Sequence, residues 1–224
     1  MRKLGFGGVL CAILSLLPLA AAAVAVGWLL PETIPVHYGG SGLVDRWGSK
    51  YECFFLPVFS LVFGGAMLLG AWVAARSSGK NGEQGCRVLV ISGIVSLAVF
   101  NLLNFFILYA AWAQLENLGD VPEIGLRILL GVVAVALLIL GAVMPQVKQN
   151  PWFGVRTKWT LQSETVWVKS QRFGGKLFMA AALICLLSLL LPFPWVYGGY
   201  VVSVGAATAG SVIYARREGK REQS

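Results

Sequence analysis

The sequence predicts an all-α fold, a polytopic integral membrane helix bundle of about six transmembrane helices with both termini cytoplasmic. Three observations predict it. First, 57% of the 224 residues are apolar and only 12% are charged, with a mean hydropathy of +0.74. A single soluble core has no room to bury that much apolar surface. Second, the apolar residues gather into six runs, each near the ~20 residues a helix needs to cross the hydrocarbon. Third, the basic residues alternate from one connecting segment to the next. Lipid offers no water to unpaired backbone groups, and a helix pairs them internally. The short alternating segments of a transmembrane barrel are not visible.

The runs cover roughly residues 9–30, 53–75, 88–112, 126–144, 176–194 and 195–215. The first follows Arg2 and Lys3 and contains Ala20 to Ala23, a pattern that also suits a signal peptide. Its apolar stretch continues through Leu30, which is long for a signal and right for an uncleaved span. The last two runs are separated only by Pro192-Phe193-Pro194 and should form a tight hairpin. Four segments follow: 1–75 as a two-helix unit, 76–87 as a cytoplasmic linker, 88–215 as a four-helix unit, and 216–224 as a basic cytoplasmic tail.

Orientation follows from the cations. The N-terminus, the 76–87 linker, the 145–176 segment and the tail hold fifteen of the eighteen Lys and Arg residues. The opposite loops hold Arg46 and Lys50, with Arg127 at the edge of a span. Lys and Arg concentrate on the cytoplasmic side, so both termini and the 145–175 loop are expected there. The net charge of +8 is then topology plus contact with anionic lipid headgroups, and no direct nucleic-acid binding is read from it.

The ionisable residues are nearly absent from the spans, whereas proton-coupled pumps keep acids or histidines at membrane depth. Asn101 and Asn104 are the most polar in-span residues. They lie three apart on one helical face and are expected to bond across to another helix. In the last run, Gly199, Ser203, Ala207 and Ser211 recur every four residues, a spacing for close helix packing, with self-association as the alternative. Cys11, Cys53, Cys86 and Cys185 suggest no disulfide. A single histidine and no paired CxxC suggest no metal site, and no cofactor is expected.

Two polar segments stand out. The first, LPETIPVHYGGSGLVDRWGSKYE (30–52), is rich in Pro and Gly. It reads either as a capped external loop with an aromatic anchor or as a small ordered motif in which His37 meets Asp45. One imidazole with one carboxylate serves a structural hydrogen bond, ligand recognition or acid–base chemistry. The second, PQVKQNPWFGVRTKWTLQSETVWVKSQRFGG (145–175), interrupts the apolar pattern for longer than any other segment. Pro145 should end the fourth helix, Asn150-Pro151 should begin a turn, and Gly154 should bend the chain after Trp152 and Phe153. Thr160 or Ser163 can cap a short helix running to about Arg172, an interfacial amphipathic helix broken by Gly174-Gly175. Arg156 is expected to bond backbone carbonyls, an acid or a phosphate within a folded plug.

NPWFGVRTKWTLQSETVWVKSQRFGGKLF (150–178) resembles the signature of the SdpI family of bacterial membrane proteins. IPVHYGGSGLVDRWGSK (34–50) resembles the His–Gly–Asp–Lys motif of an uncharacterised domain that often precedes it. By position, the resemblance marks Asn150, Pro151, Gly154, Arg156, Thr157, Trp159, Thr160, Leu161, Trp167, Gly174 and Gly175 in the inner loop. In the outer motif it marks Pro35, His37, Gly42, Asp45 and Lys50. His37, Asp45 and Lys50 are the candidates for facing a ligand or toxin. Gln171 stands where the family more often has His or Asn.

The resemblance implies a multi-pass protein of a bacterial plasma or inner membrane that gives immunity to a membrane-active peptide toxin, with a possible relay to a cytoplasmic transcriptional repressor. Two other classes stay open on the residues alone. A small-molecule transporter or permease-like protein is one, against which the charge-free spans argue. A membrane enzyme using His37 and Asp45, or Arg156 as a phosphate clamp, is the other. No Ser–His or Cys–His nucleophile arrangement supports it, and no catalytic residue is assigned.

Overall fold

The computed structural model describes residues 5–76, 80–150 and 153–223. Seven α-helices are present among them: α1 (Gly5–Val24), α2 (Phe55–Arg76), α3 (Lys80–Trp112), α4 (Glu123–Val143), α5 (Lys158–Gln162), α6 (Glu164–Ser188) and α7 (Phe193–Gln223). Six helical stretches are long and apolar enough to cross a membrane: Gly5–Leu29, Lys50–Arg76, Gly82–Trp112, Glu123–Gln146, Glu164–Ser188 and Trp195–Gln223. The helical membrane bundle expected from the sequence is therefore present. Val62, Leu69, Ile128 and Val201 are all exposed, as side chains that meet lipid should be.

Two features were not foreseen. The 30–52 segment contains a two-stranded antiparallel hairpin, β1 (Thr33–Tyr38) and β2 (Val44–Ser49). And α1 passes through a π-helical turn, Ala25–Leu29, before reaching β1. The Pro and Gly signals located the turns; Ile34, Val36 and Tyr38 alternate with Thr33, Pro35 and His37 in β1, but the run is short and its partner β2, VDRWGS, carries no such alternation.

Contacts group the chain into two compact units, Met1–Gly82 with Leu89–Leu129, and Glu83–Val88 with Leu130–Ser224. In the first, small residues let α1, α2 and α3 approach closely. A Cβ on Gly64 would lie 1.8 Å from Ser15 Oγ, and one on Gly93 would lie 3.2 Å from Cys11 Sγ. Cys11, Met67 and Leu97 fill that centre. Toward the hairpin, Ala22, Val26, Leu30, Ile34, Cys53, Leu108 and Ala111 form a second apolar cluster, so the hairpin is rooted in the helical core. Phe100 packs edge-on against both Phe59 and Phe63.

Asn101 and Asn104 do bond across to a neighbouring helix. Pro18 has no N–H, so the carbonyl four residues earlier, Leu14 O, lacks its helical donor. Asn101 Nδ2 fills that place at 2.8 Å, and Asn104 Nδ2 reaches Pro18 O at 3.5 Å. The four cysteines are free and buried.

The second unit is organised by α6 and α7. The small residues of α7 face α6: a Cβ on Gly199 would meet Ser188 Cβ at 2.7 Å, and Ser203 Oγ lies 3.3 Å from Cys185 Sγ. Core packing is thus the use of the four-residue repeat. The turn between the two helices spans 189–192, slightly earlier than the expected Pro192-Phe193-Pro194, because α7 already begins at Phe193.

Two expectations for this unit need correction. Gly174-Gly175 does not break a helix; α6 runs uninterrupted from Glu164 to Ser188. The glycines sit where α6 meets the end of α4, and a Cβ on Gly175 would lie 2.6 Å from Gly141 O. Close approach, not chain reversal, is what they provide. The segment before them is also no lipid-facing amphipathic helix, because Val166, Trp167, Ser170 and Gln171 are buried. The basic run at 216–221 is helical, since α7 continues to Gln223. At ~1.5 Å per residue its 31 residues exceed the ~30 Å hydrocarbon core, so the helix extends well past it.

Candidate functional site

The structure builds two ordered polar sites from the two segments that the sequence singles out. The first is the hairpin. Its tip is a glycine turn in which Gly42 has φ +81°, a region L-residues avoid. A Cβ on Gly39 would lie 3.1 Å from Asp45 Oδ2, so the absence of a side chain there leaves room for that carboxylate. Asp45 Oδ1 lies 2.5 Å from His37 Nδ1, and both side chains are more than half exposed. With Nδ1 engaged, Nε2 is the imidazole nitrogen left for a ligand.

Lys50 does not join this pair. The register sets Thr33 opposite Ser49 and His37 opposite Arg46, so Lys50 lies toward the other end of the hairpin. It bonds Glu32 at 2.9 Å, with the Lys50 side chain largely covered and Glu32 exposed. Arg46 grips Glu52 through two bonds, of 3.0 and 3.3 Å. Gly48 permits that grip, because a Cβ there would fall 2.1 Å from Glu52 Oε1.

The hairpin is fastened to the α3–α4 connection. Tyr38 Oη donates to Leu115 O at 2.8 Å, and burial pushes the Tyr38 phenol pKa above its ordinary value. Val44 N donates to Glu116 O and Leu118 N to Gly42 O, each at 2.9 Å. These anchors make the hairpin an ordered surface. Each of its ion pairs has at least one solvent-exposed member and contributes little to stability individually. Among the described residues, His37 bonds only to Asp45, with no Ser or Cys nucleophile in that chain of hydrogen bonds.

The second site is the signature loop with the start of α6 and the end of α7. Asn150 turns the chain: its Oδ1 accepts from Phe153 N at 2.7 Å and its Nδ2 donates to Lys148 O at 2.7 Å. Pro151 and Trp152, also singled out by the sequence, lie outside the described residues. Gly154 follows at φ +99°, and a Cβ there would strike Gln171 Oε1 at 2.6 Å. The chain then lies along Gln171, whose fully buried amide pairs with both backbone groups of Val155. Val155 N donates to Oε1 at 3.1 Å, and Nε2 donates to Val155 O at 3.2 Å.

Thr157 is the N-cap of α5, and Thr160 is its reciprocal partner in a capping box. Thr160 is therefore not itself the cap; Ser163 is, for α6. Thr160 Oγ1 also donates to Val155 O at 2.9 Å, and Thr160 O accepts from Gln149 Nε2 at 2.7 Å. Trp167 is wholly buried, with Nε1 donating to Val147 O at 2.8 Å. Trp159 lies against Gly219 of α7, where a Cβ would approach its ring to 2.4 Å. Arg156 and Leu161 are exposed. Thr157→Ala should lower stability by about 1 kcal/mol through loss of the cap, measured as a lower thermal midpoint in detergent.

Sequence reasoning missed the part that α7 plays. Glu218 is buried and receives Lys169 Nζ at 2.8 Å and Arg221 at 3.0 Å. Phe173 stacks on Tyr214 with centroids 4.1 Å apart. A signal was present: Glu218 is an acid set within the basic run Arg216-Arg217 to Lys220-Arg221, four residues after an aromatic one.

Six membrane-length helices, with a hydrogen-bonded loop plug and a rooted hairpin, define a multi-pass membrane protein. The model of the SdpI/YfhL protein family matches residues 146–215, and that of a domain of unknown function, DUF1648, matches residues 13–61. The immunity protein SdpI of Bacillus subtilis is 30% identical over 155 residues, covering 69% of this chain and 68% of that protein. An uncharacterized protein of Archaeoglobus fulgidus is 45% identical over 56 residues, covering 21% of this chain and 31% of its own. No solved structure matches. The chain belongs to the SdpI family.

Proposed function

We propose that this protein confers immunity to a membrane-active peptide toxin; the name of its Bacillus subtilis relative describes that protein as an immunity protein. The observation that carries the reading is the 30% identity across 69% of this chain. In this reading both termini and the signature loop are cytoplasmic and the hairpin is external, as the distribution of Lys and Arg predicts. Residues 1–75 present the outer motif, 76–87 link, and 88–215 carry the signature loop. This division is by role and differs from the grouping by contacts.

The external surface around His37 and Asp45 meets the toxin, with Lys50 supporting the hairpin through Glu32. The plug holds α4, α6 and α7 in register, and its cations meet anionic lipid headgroups. Exposed Arg156, with the cations of α7, offers a surface to an acidic partner such as a cytoplasmic repressor, which would relay the toxin's presence.

The test is the membrane potential of expressing cells exposed to a depolarising peptide toxin. Cells with the protein should keep their potential at doses that collapse it in control cells. Arg156→Ala should forfeit protection at unchanged membrane abundance, and His37→Ala should weaken it. Collapse in cells carrying the unsubstituted protein would refute immunity to that toxin. Full protection by Arg156→Ala would remove the loop from the mechanism.

A further inference from the structure

The strongest unexplained feature lies in the first unit, away from both polar segments. Asn101 and Asn104 are buried on one face of α3. Their NH2 groups face α1, donating to Leu14 O and Pro18 O. The opposite orientation of the Asn101 amide would set its oxygen against the Leu14 carbonyl, so the donors fix which atom is which. Each amide oxygen therefore points away from the carbonyl that its nitrogen serves.

Neither oxygen has a hydrogen-bond partner: Asn101 Oδ1 and Asn104 Oδ1 are both buried and unpaired. The buried hydroxyls of this unit do not serve them. Ser15 Oγ donates to Cys11 O and Ser60 Oγ to Leu56 O, at 2.7 and 2.8 Å. Buried acceptors in an apolar bundle are ordinarily paired, because an orphaned one keeps its full desolvation cost. Two orphans one helical turn apart on the same face call for a shared donor.

We propose that the first unit binds a buried water molecule between α1 and α3, donating one hydrogen to Asn101 Oδ1 and the other to Asn104 Oδ1. Residues three apart on a helix have Cβ atoms about 5–6 Å apart, close enough for side-chain oxygens on one face to converge to the ~4.5 Å that two hydrogen bonds of ~2.8 Å from one bent water molecule span. A buried water typically makes two to four such bonds at a polar site. A monovalent cation is the other ligand that two carbonyl oxygens attract. No acid of α1, or of α3 beyond its first turn, offsets its charge here, and a charge at membrane depth without a counter-ion is costly. The neutral donor is the ligand this chemistry selects. The water and Pro18 then form one device: the proline frees a carbonyl, Asn101 satisfies it, and the water satisfies Asn101.

The test uses the unsubstituted full chain in lipid bilayers, with 15N-labelled asparagine and leucine and magnetisation transfer from water to the side-chain and backbone amides. Transfer should appear at Asn101 and Asn104, as it does at the solvent-accessible Asn117, and be lost at the Leu97 backbone amide. Transfer at Asn117 but at neither buried asparagine would overturn the proposal. Asn104→Leu should sharply reduce the signal at Asn101, and its full persistence would overturn the bridge. Thermal midpoints in sodium, potassium and choline chloride should coincide. A rise specific to sodium or potassium would assign the site to a cation and overturn the water.

Discussion

Gly175→Val should remove most of the protein from the membrane and lower the thermal midpoint of what remains. The reason is backbone against backbone. A Cβ on Gly175 would lie 2.6 Å from Gly141 O, with Pro145 Cδ at 3.2 Å. A carbonyl on a packed helix has no rotamer to escape into, so α6 and α4 must separate. Gly141 is held in the same way, because a Cβ there would lie 3.0 Å from Gly175 O. Overpacking of this kind costs about 3 kcal/mol, a large share of the stability of an ordinary domain. Gly205→Ala is the matched control, since no atom lies within 4 Å of a Cβ there; it should be neutral. Wild-type abundance and melting for Gly175→Val would show that α4 and α6 do not meet as described.

The helical framework was legible in the sequence because membrane burial leaves a coarse, redundant signal. Long apolar runs located the six spans, with ends that shifted by several residues and, at the start of α6, from the expected 176 to Glu164. The ends shifted because hydropathy reports where lipid ends, whereas a helix stops only where capping or tertiary contact stops it. The signature loop shows the difference. Gly174-Gly175 looks like a helix breaker by propensity, yet tertiary packing keeps the helix and uses the missing side chains to admit α4. Trp167 looks like an interfacial anchor, yet its ring is buried and its N–H is tied to Val147 O. Residue types announced an important segment, but only the fold decided which way each side chain faced.

The hairpin was half legible. The glycines and prolines named the turns, and the meeting of His37 with Asp45 followed from one His and one acid on either side of them. The Arg46–Glu52 and Lys50–Glu32 pairs were hidden because pairing depends on register, which the bulged strand β1 shifts near His37. Glu218 was hidden for another reason. An acid in a basic tail reads as a solvated charge until α7 is known to run beside α6.

Gln171→Met should break the plug without leaving a cavity. Methionine matches the length and approximate volume of glutamine, so packing around position 171 is conserved and the hydrogen bonds alone are lost. Val155 O would still accept from Thr160 Oγ1, but the buried Val155 N–H would have no acceptor. An orphaned buried donor costs about 1–3 kcal/mol, more than the bond contributes when made. Two results should follow. The thermal midpoint should fall, and cleavage by a protease added from the loop side should rise at residues 153–162 before it rises elsewhere. Selective opening is expected because the Gln171 amide joins the loop after Gly154 to α6, while Trp167 and Val147 hold the segment before it. If Gln171→Met melts as the unsubstituted protein does, with no new cleavage in that segment, the amide pair does not hold the loop. The departure from His or Asn at this position would then be a neutral replacement.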